Sequence, residues 1–302
     1  MAWVLVVVCF GLFVNPLMVG AKSVLVFSSY REGSRTPYIY ISEDHQAPHR
    51  LTDNTDEEFF PSISPDGREV AYTSNSEIMV ASVSTGNVRQ LTLNDVWDGQ
   101  PAWSPDSQKI VFTSARENGH SNIWVMDTFG VVLAKLTDTP YIDWYPAWSP
   151  DGSQIAFTSD RTEFIYEVFL MRVDGSNVRQ LTGPLSKSGV PSWSPDGHRI
   201  AYFNGEFDSE IYTMATDGGS HKNISDHLGQ DWHPTWIDND TIAWSATREG
   251  QTDIWSRSLL TGVMVQITNH TAQDVHPSAV SPSIAITPNY GRLPVYWGEL
   301  KK

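Results

Sequence analysis

The chain has 302 residues, 40% of them hydrophobic and 12% aromatic, enough to bury a sizeable core. It carries 20 Lys+Arg against 35 Asp+Glu, a formal net charge of −15. Such a surface repels phosphate backbones and anionic bilayers, which makes nucleic acid and a membrane surface poor partners and favours cations or a basic protein.

Residues 1–21 stand apart from the rest. Met1–Gly20 has no charged side chain, Val4–Val14 is a nearly unbroken apolar run, and Val19-Gly20-Ala21 offers small residues to a signal peptidase. The run is short for a membrane span, so the segment reads as a cleaved export signal, with the mature chain starting at Lys22 in the periplasm or outside the cell. No Lys or Arg precedes the run, and an uncleaved anchor is the alternative. The single cysteine, Cys9, falls in this segment. Residues 22–302 then form one domain without cysteine, which excludes disulfides, thiolate catalysis and cysteine-based zinc sites.

Three short β-rich runs follow, Val24–Ser28, Tyr38–Ile41 and His49–Thr52. Pro61 then opens a repeat. Its successors are Pro101, Pro146, Pro191, Pro234 and Pro277, at spacings of 40, 45, 45, 43 and 43 residues, the period of a four-stranded propeller blade. Three residues past each of the first four prolines comes Ser-Pro-Asp, at Ser64, Ser104, Ser149 and Ser194. Proline presets φ, aspartate closes a side-chain turn and the Gly67, Gly152 or Gly197 that follows accepts positive φ, so each copy is a tight hairpin. Alternating strands come next (Glu69–Thr73, Lys109–Thr113, Gln154–Thr158, Arg199–Phe203, Thr241–Ser245), then a third strand such as Ile123–Met126. A fourth strand ends at Leu-Thr or a relative, from Leu51-Thr52 to Ile267-Thr268, six times in all.

The first copy lacks a leading strand, while His276–Val280 is a leading strand with no blade behind it. The economical solution is an all-β, six-bladed propeller of four-stranded blades, closed when the C-terminal strand completes the N-terminal blade and so removes two open sheet edges. A partial seventh blade is the alternative, and Ile284–Thr287 and Val295–Trp297 in the tail 283–302 are further strand candidates.

The Trp-Ser-Pro-Asp-Gly turn, the Thr-Ser-x-Arg loop after the second strand and the Asp-Gly before the fourth resemble the TolB-type propeller repeat over about residues 22–282. The resemblance implies a six-bladed ring and leaves function open, because propellers host many tasks. Lys22–Phe27 runs straight into a strand, so the α/β domain that precedes the propeller in TolB proper is not expected.

Chemistry is expected where the loops meet the innermost strands. Three residues before the prolines stand Glu58, Asp98, Asp143, Ser188, Asp231 and Asp274. Five carboxylates at one channel mouth need compensation, either by Ca²⁺ or Mg²⁺ or by Arg31, Arg116, Arg161 and Arg248, which recur after the second strand. Blade five lacks both acid and arginine, with Ser188 and Asn204-Gly205 instead. Immediately before the prolines come Phe60, Gln100, Tyr145, Val190, His233 and His276, and Trp144 and Trp232 lie alongside. The parallel Gln-Asp-x-His-Pro segments at Gln230–Pro234 and Gln273–Pro277 suit a transition metal or a hydrogen-bonded channel wall. They resemble the Gln-x-x-His-x-His manganese site of oligogalacturonate lyase, with Ser278 in place of its second histidine. Two functions follow: a monomeric, non-catalytic scaffold that engages a protein, peptide or glycan at an acidic channel face, or a metal-dependent polysaccharide lyase.

Overall fold

The computed structural model describes residues 23–280, apart from residues 32, 34, 45, 54, 118, 184–186, 207 and 227–228. The export signal with Cys9 and the tail strands therefore lie outside the described residues. Within them the chain forms six four-stranded sheets. Five are consecutive in sequence, with innermost strands at Glu58–Ile63, Asp98–Trp103, Asp143–Trp148, Ser188–Trp193 and Asp231–Trp236, heading blades two to six.

Blade one is the composite expected from the sequence. Asp274–Val280 pairs antiparallel with Val24–Ser29, placing the last described strand at the centre of the first blade. The six innermost strands touch in order around the axis, the last meeting the first. No sheet edge is left open at the join.

The core is six wedges rather than one ball, because each blade is buried on both faces by its neighbours. Ala71, Ile78 and Val80 of blade two meet Trp103, Ile110 and Phe112 of blade three, and similar clusters fill the next three seams. Val24 and Ile39 of blade one meet Ile63 and Tyr72 of blade two. At the closing seam Phe27 and Tyr40 meet Ala243 and Ile254. This double-sided burial explains why second strands such as Val70-Ala71-Tyr72 are continuously apolar.

The recurrent signature residues have separate jobs. In the Ser-Pro-Asp turns the serine hydroxyl lies 2.6 Å from the aspartate Oδ1 at Ser64, Ser104, Ser149 and Ser194, closing the hairpin. The hydroxyl of each Leu-Thr or Ile-Ser accepts the N–H at the head of the third strand, as from Ile78 to Thr92 and Ile123 to Thr137, both 2.9 Å. Trp103, Trp193 and Trp236 donate their indole N–H to Ser62, Ala147 and Ser192 of the preceding blade at 3.0–3.1 Å, stapling successive inner strands.

Candidate functional site

Each innermost strand carries a bulge at the residue before its proline. Phe59 pairs with Thr73 and Ser62 with Ala71, so Phe60 and Pro61 together oppose one residue, and the shift recurs in all six blades. The bulged residue is left-handed every time: Phe60, Gln100, Tyr145, Val190, His233 and His276 have φ between 51 and 55°. None is glycine, and an L-residue there costs about 1–2 kcal/mol. The strained N–H groups are satisfied across the seams, Gln100 donating to Thr73, Val190 to Thr158 and His276 to Ser245 at 2.9–3.0 Å.

The bulges turn these six side chains onto the axis, where four rings interlock. Phe60 and His276 have centroids 4.3 Å apart, His233 and His276 4.2 Å, Phe60 and Tyr145 5.7 Å, and Tyr145 and His233 5.9 Å. These rings come from blades one, two, four and six and close the channel. Gln100 completes the floor, its amide oxygen accepting from Thr113 Oγ1 at 2.9 Å and from the Tyr145 N–H at 3.2 Å.

Beyond this floor lies a cavity of about 310 Å³ walled by all six blades. Its sides are the prolines of the innermost strands, small residues such as Ala102, Ala147 and Ser192, and the tryptophans Trp103, Trp148, Trp193 and Trp236. It runs to Pro65, Pro105, Pro150 and Pro195, so it opens on the hairpin-turn face, opposite the incoming loops. Burial pushes the His233 imidazole down to about 3 and holds His276, beside His233, well below its ordinary value. Both rings are therefore neutral at physiological pH, and the Nδ1 atom of each is buried without a hydrogen-bond partner. Burial likewise raises the Tyr145 hydroxyl to about 12 despite its bond to Gln100.

The carboxylates expected at an acidic mouth are elsewhere. Glu58, Asp98, Asp143, Asp231 and Asp274 are fully buried, each bonded within or between blades instead of gathered on the axis. Arg116 meets Asp98 at 2.7 Å, Arg161 meets Asp143 at 2.8 Å, Arg248 grips Asp231 through both nitrogens at 2.6 and 3.0 Å, and Arg31 meets Asp274 at 2.7 Å. Aromatic rings hold the guanidinium groups from above: Arg161, for example, lies 5.0–5.1 Å from Phe157 and Phe169. Glu58 has no arginine at its repeat position and reaches back to the Thr52 hydroxyl and the Ile39 N–H of blade one. Among the described residues no three His, Cys, Asp or Glu are placed to hold a metal ion.

The physical reason is the bulge. Residues 58 and 60 are two apart and would share a face in a regular strand. The left-handed turn at 60 sends its side chain to the axis and leaves that of 58 inside the blade. The four arginines, candidates for ligand contact by their repeat position, are each paired with a buried carboxylate. Trp144 stacks on Tyr166 at 5.9 Å and Trp232 packs on Phe203 at 4.5 Å; neither lines the cavity. Of the predicted site, Gln100, Tyr145, His233 and His276 do meet. Phe60, Val190 and the four repeat tryptophans join them, and alignment on the prolines is the signal that could have found them.

A closed six-bladed ring with a plugged axial cavity defines the class. Residues 23–207 match the TolB beta propeller domain family, and the chain belongs to it. TolB from Acinetobacter baumannii superposes with a TM-score of 0.73 at 19% identity over 86% of this chain and 66% of that one. An oligogalacturonate lyase in complex with manganese superposes at 0.60 and 16% identity, over 82% of this chain and 74% of that one. The uncharacterized peptidase YuxL of Bacillus subtilis is 32% identical over 91 residues, 27% of this chain; the match spans only 14% of that protein's length. At these identities the structural likenesses establish the fold.

Proposed function

We propose that the protein is an exported, non-catalytic binding propeller that seats a protein or peptide segment in its axial channel. The observation that carries this reading is the cavity of about 310 Å³ walled by all six blades and floored by interlocked rings. A largely apolar cavity of this size with a few converging polar groups suits a side-chain-sized portion of a larger ligand. Ser192 lines the wall, so Ser192→Trp should fill the channel while the ring stays closed. Peptide and glycan arrays probed with the native protein and this variant test the reading. Ligands lost by a variant of unchanged Tm support it; indistinguishable profiles overturn it. Export rests on residues 1–21, and the intact mass of the secreted product is expected to begin at Lys22.

One observation favours the lyase as a second reading. His233 and His276 stand 4.2 Å apart with both Nδ1 atoms unpaired, and a manganese-bound lyase shares the fold. Elemental analysis separates the two: stoichiometric Mn, Fe or Zn supports the enzyme, calcium alone or no metal the binding propeller.

A further inference from the structure

The mouth of the channel differs in chemistry from its floor. Asp66, Asp106, Asp151 and Asp196 sit at one repeat position, directly after the prolines that frame the opening, and all four are exposed. A second cavity of about 540 Å³ lies between the turns of blades three, four and five. It is lined by Asp106, Asp151 and Asp196 and shares Pro105, Pro150, Pro195 and Trp193 with the channel. The nearest basic groups offset this rim only in part. Arg199 stands 4.0 Å from Asp196 and is one-third exposed, His198 lines the same cavity, and Arg68 stands 3.9 Å from Asp66, largely in solvent. Asp106 and Asp151 have no ion pair among the described residues.

The floor is the opposite. Its rings are neutral, and the two imidazole Nδ1 atoms there are buried away from the opening, so the floor offers a ring-lined surface without charge. The burial that keeps both imidazoles neutral also repels a charged tip, so a cation is stable only at the mouth. Depth thus sorts the ligand by polarity, with an uncharged end inside and positive charge outside.

We infer that the channel is built for a basic peptide segment: an apolar or aromatic residue enters toward His233, His276 and Tyr145, and flanking Lys or Arg residues lie against Asp106, Asp151 and Asp196. This rests on the binding reading above and names the partner's chemistry. The acidic rim steers such a segment to the opening and weakens with salt. The turn itself uses Oδ1 of each aspartate as an acceptor, from the serine and a following backbone N–H. Asparagine keeps that oxygen, so the charge can be removed with the turn intact.

The test is a selection from a random-peptide display library on the native protein, counter-selected on Ser192→Trp to keep channel-dependent binders. Aromatic or proline residues followed by Lys or Arg should be enriched. The triple variant Asp106→Asn, Asp151→Asn, Asp196→Asn should bind them about 5- to 30-fold more weakly at low salt and no differently at high salt. Enrichment of acidic or uncharged sequences, or full affinity in the triple variant, overturns the inference and leaves the channel reading standing. A selection that yields no channel-dependent binder overturns both. Should Ser192→Trp fail to fold, Ala147→Phe replaces it, with circular dichroism as the check.

Discussion

Blades four and five share a seam, yet each anchors its incoming loop with different chemistry. Blade four buries Asp143 against Arg161 at 2.8 Å, with the guanidinium packed over two neighbouring phenylalanine rings. Blade five has Ser188 where Asp143 stands and Glu206 where Arg161 stands, and Ser188 is joined instead to Asn204, its partner across the strand pair, at 2.8 Å. Acid and arginine are absent together, and a neutral hydrogen bond across the strand pair joins the two strands instead. The pair is therefore a unit of blade construction. A carboxylate kept for a ligand would have no reason to vanish with its arginine. A buried ion pair costs desolvation that its attraction only partly returns, so a neutral pair can replace it with little net change.

The largest effect should come from breaking the charged version on one side. Asp143→Ala strands the Arg161 guanidinium in a buried site and is expected to lower stability by about 3–5 kcal/mol. Ser188→Ala removes a neutral hydrogen bond and should cost about 1 kcal/mol. Chemical denaturation of both variants measures the contrast; equal losses would mean that the latch charge is solvated after all. Removing both charges at once is the sharper form. Asp143→Ser with Arg161→Asn should recover most of the single-variant loss, giving a coupling of about 0.5–3 kcal/mol in the double-mutant cycle.

The periodic part of this architecture was legible in the sequence. Proline spacing gave the six blades, Ser-Pro-Asp-Gly the hairpins, and the orphan strand at His276 the closure, because turns and period are local properties of a chain. The paired loss at Ser188 and Asn204 already pointed to an acid–arginine unit. The direction of the carboxylates was not legible. It depends on a left-handed residue that is Phe, Gln, Tyr, Val or His, never the glycine that marks such a conformation. The double role of the tryptophans was not legible either. Trp103 staples two blades and lines the cavity as well, and one repeat position does not separate the two roles.

Blades two and four offer a second contrast, and it is pH-dependent. Glu77 and Glu167 head equivalent third strands and each takes the hydroxyl of its Leu-Thr. The other oxygen of Glu77 also accepts the Asn94 N–H at 2.7 Å. Counting from the Leu-Thr, blade four has Pro184 where Asn94 stands, a residue with no N–H to give, and Glu167 Oε1 is buried without a partner. Burial raises Glu167 from 4.5 to about 7, opposed by the Thr182 hydroxyl. Between those values the folded protein keeps a proton that the unfolded chain has released. The stability this confers is complete below about pH 4.5 and is lost as pH rises to about 7, above which a carboxylate sits buried. Glu167→Gln should match the native protein near pH 4.5 and exceed it by about 2–3 kcal/mol at pH 8. A gain that does not change with pH would refute this account.

The smallest contrast lies among the repeat tryptophans. Trp103, Trp193 and Trp236 each give an indole N–H to a carbonyl of the preceding blade, whereas the Trp148 N–H is buried and has no partner. Trp→Phe trims ring volume at any of these positions and removes a hydrogen bond only at the first three. Trp103→Phe should therefore be destabilised by about 1 kcal/mol more than Trp148→Phe, since Ser62 is left with an unsatisfied carbonyl. For a domain of this size that is about 2–4 °C in Tm, within reach of calorimetry. The same pair reports on the channel, because Trp103 and Trp148 both line it. A bound segment that satisfies the Trp148 N–H would reverse the ranking, making Trp148→Phe the variant that loses more of the ligand-induced rise in Tm. If ligand raises both variants equally, Trp148 contributes packing alone and its unpaired N–H is a cost of the fold.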